Sequence, residues 1–252
     1  MSTWVLLRGL ARESRHWGAF PELLQRRLPA GDQVLALDLP GNGYLWREAS
    51  PWSVGELVEA ARAQMQSRGL APPYVLVTLS LGGMVAQDWA ARMPDEIEAC
   101  ILINTSARGL SPFWQRLQPR CYPAVLRSLL PGPLAERERA VLAMTSARPP
   151  DAAVLADWVA YAASQPVAAR NVLRQLVAAA RFRAPAHLPV PALVLSSRRD
   201  RLVAPECSRA LARAWRLPLR EHPDAGHDLP LDDPDWILEQ IARWWPEHFV
   251  RP

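Results

Sequence analysis

Three residues of the types used in acyl transfer each follow a short apolar run in this sequence. Ser80 follows "YVLVTL" (74–79), Asp200 follows "ALVLSS" (192–197), and His227 lies in "DAGHDLPL" after a further short run. A serine hydroxyl attacks a carbonyl carbon when an imidazole takes its proton and a carboxylate orients that imidazole. The chain order serine, acid, histidine is one of the orders in which such triads occur. These residues therefore predict a serine hydrolase that acts through an acyl-enzyme.

Ser80 lies in a variant of the nucleophile-elbow pattern G-x-S-x-G, in which a strand turns sharply into a helix and exposes the serine. The stretch reads T-L-S-L-G, so Thr78 takes the place of the first glycine. The residue two positions before the serine faces the following helix, which disfavours a large side chain there. Threonine is fairly small, and a β-branched residue suits a strand end. We therefore predict an intact elbow with a slightly displaced helix.

Other residues are alternatives for each role. Ser80 taken alone could be the N-cap of a helix. The rival acids and bases are Asp38, Asp224, His16 and His222. We interpret Asp38 as a turn residue, and Asp224 follows a different strand from the one that precedes Asp200. We expect His16 to pack against or cap a helix and His222 to lie at the surface, so Asp200 and His227 remain the predicted acid and base.

The apolar runs are continuous rather than alternating, and helical patterns separate them. The runs that predict strands are "TWVLLRG" (3–9), "QVLALDLPG" (33–41), "YVLVTLS" (74–80), "EACILINTS" (98–106) and "PALVLSSRRD" (191–200). Continuous apolar strands separated by helices are typical of a mostly parallel sheet with helices on both faces. Residues 108–186 contain several helical patterns and no convincing strand. We therefore predict an α/β core formed by 1–107 and 187–252, with an inserted all-helical cap at 108–186.

Length and composition limit the class of protein. The 252 residues are half hydrophobic, which suits one α/β domain with an insertion. No apolar run approaches the roughly 18 residues of a membrane span, and the N-terminus lacks the features of a signal peptide. The three cysteines, Cys100, Cys121 and Cys207, are scattered, without metal-site spacing or a disulfide framework. Such cysteine usage favours a cytoplasmic protein.

Positive charge is concentrated in the predicted cap. All 29 basic residues are arginines, and residues 106–186 hold eleven of them against four acidic residues. Arg170, Arg174 and Arg181 fall within about 40° of one another on a helical wheel, and we expect the helix to bury another face, formed by Ala169, Val172, Leu173 and Leu176. A basic stripe at the mouth of a site could attract an acidic acyl-carrier protein or a coenzyme A conjugate. The alternative is a solvated surface without a partner, and no motif indicates nucleic-acid binding.

Several loops resemble those of α/β-hydrolases, in the large carboxylesterase-like group with a helical cap. The resembling stretches are "LDLPGNG" (37–43), "RRDRLVAP" (198–205) and "GHDLPLDDPDW" (226–236), and the similarity extends over essentially the whole chain. The resemblance implies the α/β-hydrolase fold, with a mostly parallel central sheet and an inserted cap. The pimeloyl-acyl-carrier-protein methyl ester esterases are a similar group, but these motifs are shared too widely to assign their substrate here.

The stretch "LLRGLARESRHW" (6–17) occupies the place of the oxyanion loop in that family. Arg8 replaces the histidine of the usual H-G pair, and Gly9 is kept. The resemblance implies that the backbone N–H groups of Leu10 and Leu81 receive the oxyanion. Backbone donors survive side-chain changes when the loop keeps its shape, which a glycine allows.

The predicted reaction is hydrolysis of a small-molecule carboxylic ester, and it implies no cofactor and no metal. In the cap, the candidates for lining the acyl pocket are Phe113, Trp114, Trp158 and Tyr161. A thioesterase acting on carrier-bound acyl groups would use the same triad, as would a cofactor-free haloperoxidase or a C–C bond hydrolase. A binding protein without catalysis is a further alternative, although its triad would be expected to be damaged.

Overall fold

Six parallel strands form the centre of the computed structural model, which describes residues 2–128, 130, 132–149 and 151–246. The strands are β1 (Thr3–Leu7), β2 (Gln33–Leu37), β3 (Tyr74–Leu79), β4 (Ile97–Ile103), β5 (Ala192–Ser197) and β6 (Leu219–His222). They form one sheet in the order β2-β1-β3-β4-β5-β6. Parallel neighbours require a crossover between successive strands, which the intervening helices supply. The sheet confirms the predicted fold class.

Eleven α-helices occur in the residues that the structure describes. They are α1 (Phe20–Gln25), α2 (Val54–Ser67), α3 (Leu81–Arg92), α4 (Phe113–Arg116), α5 (Tyr122–Ser128), α6 (Leu134–Thr145), α7 (Ala152–Ser164), α8 (Ala169–Arg181), α9 (Pro205–Trp215), α10 (Leu229–Asp232) and α11 (Pro234–Trp244). Short 3₁₀ helices lie at Ser14–Trp17, Gly43–Leu45, Pro94–Glu96 and Pro119–Cys121. No helix among the described residues is both long and apolar enough to cross a membrane.

Both faces of the sheet are buried, which explains why its strands are continuously apolar. Successive side chains of a strand point to opposite faces, so Leu7 belongs to one hydrophobic cluster and Leu6 to the other. Helices α2 and α3 contribute to the first cluster, and α1 and α11 contribute to the second. This double covering also holds the carboxyl ends of the strands, where the predicted site residues lie, at one edge of the sheet.

The chain leaves the sheet after β4 and returns before β5 at a common point. Arg108 N donates a hydrogen bond to Phe182 O at 2.9 Å, and Ala184 N donates to Arg108 O at 3.0 Å. Helices α4 to α8 lie between Arg108 and Phe182 in the sequence. The division into a core (1–107 and 187–252) and a cap (108–186) stays our interpretation, and these paired ends are compatible with it.

The buried face of α8 differs from the predicted one. Its buried residues are Asn171, Val172, Gln175 and Ala178, so Val172 alone of the predicted four is buried, and Leu173 is 48% exposed. The prediction was wrong because it chose the face by hydrophobicity. Ser50 N donates to Asn171 Oδ1 at 3.0 Å, and Ala11 N donates to Gln175 Oε1 at 2.8 Å. Buried amides are stable when they are hydrogen-bonded in this way.

We predict that Thr78→Gly lowers the free energy of unfolding by about 1–2 kcal/mol but changes ester turnover only a few-fold. Thr78 is buried on β3, and its Oγ1 donates to Ile101 O on β4 at 3.1 Å. The substitution removes this hydrogen bond and adds backbone freedom. Urea denaturation and p-nitrophenyl ester assays measure the two effects. Thr78→Ser keeps the hydroxyl and should lose less stability, whereas a hundredfold loss of turnover in Thr78→Gly would contradict a purely structural role.

Candidate active site

Ser80 occupies a strained turn between β3 and α3. Its φ of 57° lies in the left-handed region that few residues other than glycine adopt. The close packing around it requires glycine at two positions. A Cβ on Gly82 would lie 2.3 Å from Leu7 O, and one on Gly83 would lie 2.6 Å from the Thr105 side chain. The strand–turn–helix geometry of an elbow is therefore present, although Thr78 stands in the place of the usual glycine.

The side chains of His227 and Asp200 form a buried hydrogen bond. His227 Nδ1 lies 2.7 Å from Asp200 Oδ2, and the two residues are 4% and 2% exposed. Asp200 Oδ1 accepts hydrogen bonds from the backbone N–H groups of Leu202 at 2.8 Å and Val203 at 2.9 Å. An ionised carboxylate only accepts, so Nδ1 is the donor. The imidazole Nε2 is then the atom that can take a proton.

Ser80 and His227 line the same cavity, of about 120 Å³, together with Leu10 of the predicted oxyanion loop. The cap supplies apolar wall residues that include Val141, Met144, Tyr161, Val167 and Val172. Leu81 is the buried first residue of α3, next to Ser80. The structure thus brings the serine and the histidine to one apolar cavity, as acyl transfer would require.

The loop that contains Leu10 passes very close to the serine. A Cβ on Gly9 would lie 3.1 Å from Ser80 Cβ, so this position favours glycine. Two residues later, Ala11 has a φ of 52° and donates its N–H to Gln175 Oε1 at 2.8 Å. The cap helix α8 therefore helps to hold the loop in its conformation.

The rival acids have structural partners of their own. Asp38 accepts hydrogen bonds from Ser14 N at 2.6 Å and Tyr44 N at 2.8 Å, which agrees with its interpretation as a turn residue. Asp224 forms an ion pair with Arg199 at 2.7 Å, and both side chains are 63% exposed. The geometry thus favours Asp200 as the partner of the histidine.

The two other histidines considered for the base are both buried. His16 lies in the cavity wall, and its Nδ1 accepts a hydrogen bond from Glu13 N at 3.2 Å in a capping box, as predicted. His222 is not at the surface, so that prediction was wrong. Its Nδ1 accepts hydrogen bonds from Asp224 N at 3.1 Å and Ala225 N at 2.8 Å, which fold the following turn over the ring.

The predicted aromatic lining is only partly correct. Tyr161 lines the cavity, whereas Trp158 is buried outside that lining and forms a T-shaped ring contact with His16. Phe113 and Trp114 are 69% and 52% exposed and lie outside the lining of this cavity. They belong to a helix of four residues, α4, in which no sequence periodicity shows which side faces the protein. We therefore withdraw them as acyl-pocket residues.

Charged side chains form part of the cavity wall, which the sequence did not suggest. Arg12 Nη1 donates to Glu138 Oε2 at 2.7 Å, and Glu13 is paired with Arg15. Burial raises the pKa of Glu13, against the lowering effect of its hydrogen bond from Arg15. Burial lowers the pKa of His16 well below its usual range, and the Arg12 guanidinium acts in the same direction. His16 is therefore neutral near pH 7.

Three arginines line the cavity, and Arg8 and Arg12 are each paired with an acidic residue. Arg137 has no acidic partner in the part of the chain that the structure describes. It lies on the same face of α6 as Val141 and Met144, one and two turns further along. Its Nε atom is buried and has no hydrogen-bond partner. Arg137 thus adds to the cavity wall a guanidinium that has no ion pair among the described residues.

Asn104 is a site residue whose role was missed. It follows β4 with a φ of 46°, and its Nδ2 donates to His227 O at 2.8 Å and to Ser197 Oγ at 3.0 Å. The side chain thereby ties the histidine loop to the end of β4. Its place at the carboxyl end of β4 was the signal in the sequence for a role beside the site.

Comparison with known proteins places these features in a family. The pimeloyl-acyl-carrier-protein methyl ester esterase of Chromobacterium violaceum is 34% identical over 116 residues, which are 45% of this chain and 43% of the relative. The chain thus matches less than half the length of that curated relative.

Two solved structures resemble nearly the whole chain. The enol-lactonase of Burkholderia xenovorans LB400 has a TM-score of 0.77 at 23% identity, covering 98% of this chain and 92% of that one. A thermophilic esterase of Thermogutta terrifontis has a TM-score of 0.74 at 21% identity, covering 99% and 91%. At these identities the likeness shows the fold alone. The model of the alpha/beta hydrolase family matches residues 4–240, and the chain belongs to that family.

Proposed function

We propose that the protein hydrolyses a carboxylic ester through an acyl-enzyme formed on Ser80. The observation that carries the proposal is the buried 2.7 Å hydrogen bond between His227 and Asp200 beside the cavity that Ser80 lines. A nucleophile, a base and a residue that orients the base are the three parts that acyl transfer to serine requires. The esterase named among the relatives supports this reaction class.

In the proposed mechanism, His227 Nε2 takes the hydroxyl proton of Ser80 while Oγ attacks the ester carbonyl carbon. Asp200 holds the imidazole in the required tautomer and stabilises its positive charge. The tetrahedral intermediate collapses as the imidazolium gives its proton to the leaving alcohol. Water, activated by His227, then attacks the acyl-enzyme and releases the acid and the free serine.

We assign the oxyanion to the backbone N–H groups of Leu10 and Leu81. Leu81 is the first residue of α3, where a backbone N–H has no carbonyl partner within the helix. Leu10 lines the same cavity, in the loop that Gly9 brings close to Ser80. Donors held in place before the reaction stabilise the developing negative charge without reorganisation.

A carrier-bound acyl group is the second candidate substrate, and the free charge of Arg137 in the cavity wall favours an acidic conjugate. Arg170 and Arg181 on α8 are exposed and available to a carrier. Arg174 is half-buried, donates to Ser50 O at 3.2 Å and stacks on Trp52, so it is less available to a carrier.

The cytoplasm stays the predicted location, since the three cysteines are buried and free.

We predict that Ser80→Ala abolishes turnover of p-nitrophenyl esters, because loss of a triad member costs several orders of magnitude in rate. The melting temperature should not fall, since the change removes one hydroxyl from a half-buried residue. A fluorophosphonate probe should label the wild-type protein once and the variant not at all. Turnover by Ser80→Ala at the wild-type rate would refute the proposed mechanism.

We predict that Asp200→Asn lowers kcat roughly 10³–10⁴-fold, because the amide favours the wrong imidazole tautomer. Asp224→Asn is the matched control, since it removes a carboxylate three residues from His227 that is paired with Arg199 at the surface. Its kcat should stay within a few-fold of wild type. Reversed effects of these two substitutions in the same ester assay would show that the acid is misassigned.

For a carrier-bound ester, we predict that kcat/KM falls steeply between low and high salt, while kcat/KM for a neutral p-nitrophenyl ester changes little. Charge on exposed residues acts mainly on association, and salt screens it. Replacing Arg170 and Arg181 by glutamine should lower kcat/KM for the carrier-bound ester alone. The control replaces the exposed Arg26 and Arg213 of the core, with the same loss of charge. Equal salt curves for both substrates would favour a small-molecule esterase.

A further inference from the structure

Arg8, which replaces the histidine of the usual oxyanion loop, forms a buried two-pronged ion pair with Asp228. Its Nη1 donates to Asp228 Oδ1 at 3.0 Å and its Nη2 donates to Oδ2 at 2.5 Å. The two side chains are 3% and 4% exposed. A guanidinium and a carboxylate joined by two parallel hydrogen bonds have one strongly preferred relative orientation. The contact therefore fixes an angle as well as a distance.

The two partners lie next to the groups that the proposed mechanism uses. Arg8 directly follows β1 and precedes Gly9 and Leu10, and Asp228 directly follows His227. The partners are 220 residues apart in the sequence. One side-chain contact thus connects the loop of an oxyanion donor with the loop of the general base.

The sheet does not connect these two loops directly. Three strands, β3, β4 and β5, separate β1 from β6, after which the histidine loop begins. At about 4.8 Å between neighbouring strands, β1 and β6 are roughly 19 Å apart along the sheet. Among the hydrogen bonds of the described residues, those of Arg8 with Asp228 are the ones that join the loops 8–12 and 224–230.

Each loop also has contacts of its own, and both loops are tied to helix α6. The histidine loop is held by Asn104, which donates to His227 O at 2.8 Å, and by Thr145, whose carbonyl accepts from Asp228 N at 2.8 Å. The oxyanion loop is held by Gln175 of α8 through Ala11 N and by Glu138 of α6, which accepts a hydrogen bond from Arg12. Small movements between those supports would change the distance between the donor and the base. The ion pair opposes such movement.

Stability alone is a weak reason for this ion pair. Removing two charges from water costs free energy that their attraction often does not recover, and apolar replacements of such pairs are often neutral or stabilising. The Arg8 guanidinium also lies over the Trp17 ring, 5.1 Å from its centroid, so the side chain is fixed on a second side. The contacts with Asp228 and Trp17 fix the orientation of the Arg8 side chain, and through it the orientation of the oxyanion loop relative to the histidine loop.

We propose that Arg8 is a positioning residue, whose ion pair with Asp228 holds the backbone N–H of Leu10 at a fixed position relative to the His227 imidazole. This inference rests on the proposed hydrolase mechanism. A shift of the donor relative to the base weakens an interaction that forms only in the transition state, so it lowers kcat and leaves KM nearly unchanged. Lysine would keep the charge of Arg8 but would not reproduce its planar fork.

The test measures kcat and KM for a p-nitrophenyl ester, together with melting temperature, in Arg8→Lys, Arg8→Met, Asp228→Asn and the double variant Arg8→Met with Asp228→Asn. We expect a kcat loss of roughly tenfold to hundredfold in each single variant, with KM within threefold of wild type. The double variant should lose little more than either single one, because both remove the same contact.

The control is Arg62→Met on α2, which removes the ion pairs of Arg62 with Glu59 of the same helix and with Glu96 of the 3₁₀ helix Pro94–Glu96, all outside the cavity lining. It should lower the melting temperature without changing kcat. If Arg8→Met does not fold, Arg8→Lys and Asp228→Asn, which preserve side-chain size, decide the question. A kcat within twofold of wild type in the folded variants overturns the inference. Unchanged turnover in Ser80→Ala would instead refute the hydrolase mechanism itself, so the two failures are distinguishable.

Discussion

The backbone conformation of Ser80 is the constraint on which the site depends. A non-glycine residue at a φ of 57° costs about 1–3 kcal/mol and persists only where its surroundings hold it. Here the hydrogen bond from Thr105 Oγ1 to Ser80 O, at 2.7 Å, and the glycines at 82 and 83 allow α3 to start directly beneath the serine. The buried sheet and its covering helices hold Ser80 in this strained conformation, in which it lines the cavity.

The inserted helices contribute more than a cover. Helix α8 buries a polar face, and Gln175 donates to Asn42 Oδ1 at 3.0 Å and to Ser50 Oγ at 2.9 Å while it accepts from Ala11 N. The same cap supplies Thr145, whose carbonyl accepts from Asp228 N. Both loops that flank the serine are thus tied to helices α6 and α8.

The cavity that Ser80 lines has charged as well as apolar side chains in its wall. Arginines at positions 8 and 12 are each paired with a buried acid, and Arg137 remains without one in the described part of the chain. Paired charges hold loops in fixed orientations, whereas an uncompensated cation in a cavity attracts negatively charged groups. The wall of the cavity therefore combines two oriented ion pairs with the guanidinium of Arg137, which has no ion pair among the described residues.

The sequence by itself determined the parallel sheet, the elbow at Ser80 and the order of Ser80, Asp200 and His227, because continuous apolar runs and strand-end positions are local features. Tertiary structure alone decided which face of α8 is buried, that Phe113 and Trp114 point outwards, and that Arg8 meets Asp228. These outcomes depend on partners far away in the chain, and Arg8 and Asp228 are 220 residues apart. Local hydrophobicity cannot reveal them, because a polar side chain is buried when its hydrogen bonds are satisfied by residues that only folding brings near.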